Sequence, residues 1–538
     1  MNRLKKKLNS EEFFSEIQQT TVLEDIEVPV DIGWRIDDHE KVFNNCQFKD
    51  WVFENRANTL QFNDCTFNTL QITLTNTTKK VILNNCSAKK VELIGRQDTS
   101  MYRIELTGDA TNIEKFEING EFFCNKIILD GITGLRKTTM QLNCSNIDVH
   151  NARGIEYLVV FGEVKKQIDF KNCRDMSFIV IRDMKTERIE ISDSGNLNVN
   201  LESIDVKYIN FNRCTSTSIE TTYLTADHLG LNDGSYETIR FYHDCNFNFS
   251  ASPITEKLTI NQLTFRAAKP QKDRILKIEK AKIKELSFDG LQNDALILFL
   301  NCEVSNVLRF YQSNLGKFQF TNVKVEESCR IDLLDSSISD VHFNSFRWNR
   351  SYKLFEDFDA EILVRHDSQI NFLHSLRESY RQLKANYLKN GNKIEALEFQ
   401  RREMEIHFKI LRQKRFHNWH NLGNYLIVAT NKWFSDFGQN IWKPVVFLLL
   451  SHLIFSNLIF HNFQLGFNPT YVLTELDYSN TFRAINLYFQ TLLPIHGTSA
   501  KDMFGREISI GGLWDFLDRI LSSYFIFYFV SATRKYHQ

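Results

Sequence analysis

Short runs of alternating apolar and polar residues recur along the first two thirds of the chain. KKVELI (89–94), YRIEL (102–106), KFEI (115–118), KIIL (126–129), RIEI (188–191) and YINF (208–211) each place an apolar side chain at every second position, the period of a strand with one buried face. Each run is too short for a helix. They follow one another without the Gly and Pro of hairpin turns, so the pattern predicts strands stacked rung on rung in a parallel β-solenoid, each coil's core resting on that of the coil before. A cysteine text repeats among them: VFNNCQF (42–48), QFNDCTF (61–67), ILNNCSA (82–88), DFKNCRD (169–175), NFNRCTS (210–216) and YHDCNF (242–247). The steps from Cys46 to Cys65, Cys86, Cys124 and Cys144 are 19, 21, 38 and 20 residues, a ruler of about one coil per 20 residues, although later gaps of 29, 31 and 27 do not fit it.

A finer step lies inside this one. Phe43, Phe48 and Phe53 are five apart, as are Phe62, Phe67 and Ile72, and Cys46 and Cys65 each stand two positions before the middle phenylalanine. A large inward group needs a small inward neighbour on a narrow coil, and Cys is a small hydrophobe suited to that place. This text resembles the pentapeptide-repeat family, whose right-handed quadrilateral β-helix uses four pentapeptides per coil; the resemblance is strongest over 40–75. It implies a mainly β fold, a right-handed parallel β-helix.

Beyond Asp367 the period becomes helical. Leu373, Leu376, Tyr380, Leu383 and Tyr387 mark one face, and after Asn390-Gly391-Asn392 a second face follows with Ile394, Leu397, Met404, Phe408 and Leu411, predicting a helical hairpin. The run YRQLKANYLKNGNKIEALEFQRREM, with Arg381, Leu383, Lys384, Tyr387, Gly391, Glu395, Ala396 and Glu403, resembles the connector of bacterial pentapeptide-repeat proteins that continue into a two-helix, ion-channel-like membrane domain. A plain capping role for the hairpin on the solenoid end is an equal expectation.

Residues 445–460, VVFLLLSHLIFSNLIF, are uncharged and apolar, and 520–532, ILSSYFIFYFVSA, extend upstream past Asp515, Asp518 and Arg519. Read as two membrane helices, the second carries a membrane charge cluster in which Asp515 and Arg519, four apart, face one another. Lys and Arg crowd both flanks and are sparse in 464–507, which puts both termini and the solenoid on the cytoplasmic side of a bacterial inner membrane. TFRAINLYFQTLLPIHG (481–497) lies where a re-entrant pore helix lies in two-helix channels. The pore candidates Leu493, Pro494, Ile495, His496 and Gly497 stand in place of a TVGYG-like run, and a potassium filter is not expected from them. The resulting division is an N-terminal cap or tail (1–35), the solenoid (36–360), the hairpin connector (361–417) and the membrane domain (418–538).

Composition sharpens this picture. The 538 residues include 45 Phe but only 6 Pro and 21 Gly, so corners fall to Asn-rich stretches. Net charge is −1, yet residues 371–538 hold 19 Lys+Arg against 12 Asp+Glu and the remainder 46 against 54. Neither balance argues for nucleic acid. None of the ten cysteines has a partner at CxxC spacing, so no metal site, redox motif or cofactor is expected. P-loop, GxGxxG, HExxH and GxSxG patterns are missing, and His228, His243 and Asp244 lack a placed partner. The expectation is a non-enzymatic protein whose solenoid binds an unknown cytosolic ligand or protein. Its membrane part is either a gated, weakly selective pore or an anchor for a scaffold, and the resemblance implies a cyclic homo-oligomer, a tetramer in the pore-like arrangement.

Overall fold

The computed structural model describes residues 6–462 except 29–31, 37–39, 97–98, 109–111, 121, 134, 255–257, 351, 357–367 and 417, and beyond them 492, 499–501, 507–509 and 513–537. The chain divides into two compact units, Met1–Phe355 and Glu356–Gln538.

The first unit is a parallel β-solenoid of about 15 turns, consistent with a pentapeptide-repeat-like β-helix. Among the described residues 26 of its strands form one sheet. Registers advance by one coil of about 20 residues, so like side chains stack: Phe43 on Phe62, then Leu83, Leu106, Leu129, Val149, Phe170, Ile191 and Phe211. The five-residue step generates separate inward columns, Phe48 on Phe67 on Ala88, and Phe53 on Ile72 on Leu93. Rings stack face to face within these columns, with centroids 4.9 Å apart for Phe43–Phe62 and 5.2 Å for Phe48–Phe67. Each fully buried aromatic or aliphatic group contributes about 1.5–3 kcal/mol of transfer free energy.

Corners are made by left-handed residues. Asn45, Asp64, Asn85, Asn172, Arg213 and Asn301 have φ between 51° and 55° and each immediately precedes a cysteine. The corner side chains form a ladder: Asn172 Nδ2 donates to Asn151 Oδ1 at 2.7 Å, Asn151 to Asp130 at 2.8 Å, and Asn322 to Asn301 at 2.8 Å. Asn and Asp tolerate this backbone because their short polar groups bond locally. The cysteine after the corner points inward, and its thiol donates both to the carbonyl two residues back and to one in the previous coil, as Cys65 does to Asn63 and Phe43. Cys124 and Cys144 belong to a different column, in register with each other and with Met101 and Val164. The 29-residue gap from Cys144 to Cys173 comes where the small residue moves back to the position after the corner.

Among the described residues strand pairing begins at Lys6, ahead of residue 36. Helix α1 (Ser10–Gln19), with a capping box between Asn9 and Glu12, lays Phe13 against Phe43, Phe48 and Trp51. Buried Lys41 donates to the carbonyls of Ile17 and Thr20 at the end of α1, where the helix dipole favours a cation.

The second unit contains α2 (Gln369–Lys389), α3 (Lys393–Lys414), α4 (Trp419–Ser435), α5 (Trp442–Asn462) and α6 (Leu513–His537). Helices α2 and α3 form the expected hairpin about Gly391, whose φ of +76° closes the turn. The α2 face is as the spacing predicts, with Leu373, Leu376, Tyr380, Leu383 and Tyr387 buried. The α3 face is rotated: Ala396, Phe399, Glu403, Ile406, Ile410 and Leu411 are buried, while Ile394 is 69% exposed. Phe408 instead stacks on Tyr425 of α4, with centroids 5.4 Å apart.

The expectation of a membrane domain is overturned. Among the described residues no helix is long and apolar enough to cross a membrane. Asp515, Asp518 and Arg519 occupy the first two turns of α6, leaving an apolar run well short of the roughly 20 residues a span needs. In α5, Ser451-His452 and Ser456-Asn457 interrupt the apolar text, which ends at His461-Asn462. The inner-membrane location and the sidedness deduced from it therefore do not hold.

Candidate functional site

The helical unit places its chemistry in two seams. The first lies inside the α2–α3 hairpin. Lys384 Nζ donates to Glu403 Oε2 at 2.6 Å and Arg377 Nε approaches Glu403 Oε1 at 3.9 Å, with the Glu403 side chain only 8% exposed. Leu383, Tyr387 and Ala396 are buried around this pair, and Tyr387 packs on Phe399 at 5.4 Å. Asn392 caps the start of α3, its Oδ1 accepting from the Glu395 amide, and Arg381 pairs with Glu378 on the surface. The connector residues thus fall into a seam (Leu383, Lys384, Tyr387, Ala396, Glu403), a turn (Gly391, Glu395) and one solvated arginine.

The second seam is deeper. Helix α4 ends in three left-handed residues, Asp436, Phe437 and Gly438, held by Arg401–Asp436 at 3.1 Å and by Gln439 Nε2 donating to the Leu397 carbonyl. Asn440 Oδ1 then accepts from the amides of Trp442 and Lys443 and starts α5. Phe434, Phe447 and Phe525 meet as one aromatic cluster where α4, α5 and α6 converge. Beyond it, His452 Nδ1 lies 2.7 Å from Asp518 Oδ2, with the two side chains 0% and 1% exposed. One turn away Arg519 Nε donates to Asp515 Oδ2 at 2.9 Å. Asp518 Oδ1 and Ser522 Oγ are buried with no hydrogen-bond partner among the described residues.

Helix α6 is therefore inverted. Asp515, Asp518, Ser522 and Phe525, at i, i+3, i+7 and i+10, face inward. Leu513, Phe516, Ile520, Phe527 and Val530, on the other heptad stripe, are exposed. Helix α5 shows the same exposed stripe at Val446, Leu449, Leu450, Leu453 and Ile454, positions i, i+3, i+4, i+7 and i+8. His452 is the member of this site that the sequence reading passed over; its signal is an ionisable residue in the middle of an apolar run. The pore candidates Leu493, Pro494, Ile495, His496 and Gly497 lie outside the described residues.

In the solenoid the single histidines serve locally. His228 Nε2 lies 3.2 Å from Ser250 Oγ, and His243 stacks on Tyr223 with centroids 5.0 Å apart. All ten cysteines are buried thiols. Burial pushes Cys173 and Cys302 up to about 11, and Cys124, Cys214, Cys245 and Cys329 up to about 12, far from a nucleophile's range. Compared with protein-family models, curated proteins and solved structures, the chain matches none.

Proposed function

We propose that this protein is a non-enzymatic assembly scaffold: a β-solenoid interaction domain, joined through the α2–α3 hairpin to a helical unit that binds a second copy of itself. The observation that carries this reading is the inversion of α5 and α6, charged groups inside and large apolar groups outside. Contiguous exposed apolar stripes on a helix pair mark an interaction site. The 3–4 spacing on both helices is that of a helix-packing seam. Between Val446 and Ile454 the exposed side chains carry no charge, so the covering surface must be apolar and uncharged as well. The same stripe on another copy meets that requirement, as in the self-complementary interfaces of homo-oligomers. The buried His452–Asp518 pair suits this role by fixing how α5 and α6 register, a specificity device rather than a source of stability.

Size-exclusion chromatography with light scattering tests the reading. The purified chain is expected to run as a homo-oligomer, and Leu450→Glu combined with Phe527→Glu to run as a monomer with an unchanged circular dichroism spectrum. A wild-type monomer at every concentration, or a monomer that floats with lipid vesicles, would overturn it.

A further inference from the structure

The solenoid repeatedly solves one electrostatic problem. At three places where cations stand on neighbouring coils about 4.8 Å apart, a carboxylate is shared between them. Glu117 holds Lys90 at 3.1 Å and Lys115 at 2.6 Å. Asp332, its side chain 4% exposed, holds Arg309 at 3.1 Å and Arg330 at 2.9 Å. Glu303 holds Lys282 at 3.3 Å and Lys324 at 2.9 Å.

Other facing cations, such as Arg103 and Lys126 or Lys324 and Arg347, have at least one member held by a carboxylate of its own, but one pair has neither. Arg153 and Arg174 are register partners on consecutive coils, both exposed, and among the described residues neither has an acidic partner. Two acids close to Arg174, its sequence neighbour Asp175 and the groove residue Asp193, are engaged elsewhere: Asp175 Oδ1 accepts from Asn196 at 2.7 Å, and Asp193 is gripped by Arg213 through two bonds of 2.6 and 2.9 Å. Like charges directly opposed on a sheet are destabilising unless compensated.

The next rung of the same column is Gly195, the register partner of Arg174. A side chain there is blocked by Thr215, whose Oγ1 would stand 2.6 Å from a Cβ. The missing side chain leaves a notch beside Arg174, part of a groove of 520 Å³ whose lining includes Arg174, Asp193, Ser194, Asn196, Arg213 and Thr215. Its walls are guanidinium, amide and hydroxyl groups and one carboxylate, Asp193, whose charge is met by Arg213.

We infer that Arg153 and Arg174, with this groove, form a binding site for a phosphate-bearing small molecule, the external oxyanion taking the place that Glu117, Asp332 and Glu303 fill elsewhere. Guanidinium groups grip phosphate through paired charge-assisted bonds, and the groove has the size of a small-molecule site. The inference stands on the solenoid alone and is independent of self-association.

Isothermal titration of the full chain with inorganic phosphate and with adenosine monophosphate, at matched ionic strength against sodium chloride, tests it. Saturable binding of phosphate is expected, weakened about tenfold by Arg153→Gln and by Arg174→Gln, the loss of one bidentate charged contact, and unchanged by Arg347→Gln, an exposed arginine near the far end of the solenoid. Tighter binding of the nucleotide identifies an organic phosphate as the ligand and equal affinity identifies free phosphate; both support the site. Absence of saturable heat with either probe, or equal binding by the two arginine variants and the wild type, would overturn it.

Discussion

At the scale of single residues, the solenoid depends on two kinds that sit side by side: a left-handed Asn or Asp at the corner and a small buried group after it. The thiols at these places are sealed. Because Cys124, Cys214 and Cys302 titrate at about 11–12 in the fold and near 8.5 in an unfolded chain, the sign of the linkage is fixed. Below about pH 8.5 both states keep the proton and stability is undiminished. As pH rises from there toward 11–12 only the unfolded state ionises and stability is lost. Urea midpoints are therefore expected to fall steeply above about pH 9 and to be flat below it on the alkaline side of neutrality; an unchanged midpoint at pH 10 would contradict the sealed-thiol description. The corner asparagines were legible in the sequence because so few Gly and Pro compete for that role. The column change at Cys124 and Cys144 was not, since a buried thiol looks alike in either column.

At the scale of elements, strands were easier to read than helix faces. The run YRIEL lies inside the strand Ser100–Thr107 and KIIL inside Phe123–Asp130, because alternation and stacking impose one period on the whole coil. Helix α3 misled because its buried stripe contains Glu403, neutralised by Lys384, and small Ala396, while the larger Ile394 and Phe408 lie elsewhere. Helices α5 and α6 misled more deeply: apolar length was read as a span, although charge within α6 already denied it that length. Their seam makes a quantitative prediction. His452→Leu strands the Asp518 carboxylate and is expected to destabilise the helical unit by about 3–5 kcal/mol, whereas His452→Leu with Asp518→Leu is expected to recover most of that loss. Hydrogen exchange of α5 and α6 amides measures both. Additive losses in the double variant would show that the pair is not coupled.

At the scale of the whole molecule, the solenoid is a sum of neighbour-to-neighbour terms, since each coil pairs only with the coils beside it. Deleting residues 65–85 joins Asp64 to Cys86 and places Phe62 below Leu106, preserving both the corner and the column. The shortened chain is expected to keep the wild-type circular dichroism signature and a single cooperative melt; loss of β signal would show that the coils are not interchangeable. The same repetition made the fold visible in sequence, while the functional proposals rest on departures from it, the Arg153–Arg174 pair and the inverted α5–α6 hairpin.

The helix that covers the first rings acquires a meaning beyond packing. A stack of identical rungs has no intrinsic reason to stop, and an uncovered terminal rung is a template for any other β-chain that drifts onto it. With Phe13 seated on Phe43, Phe48 and Trp51 and Lys41 bonded to the end of α1, the apolar rings of the first coils are covered by a helix, which offers no strand edge for another β-chain to extend.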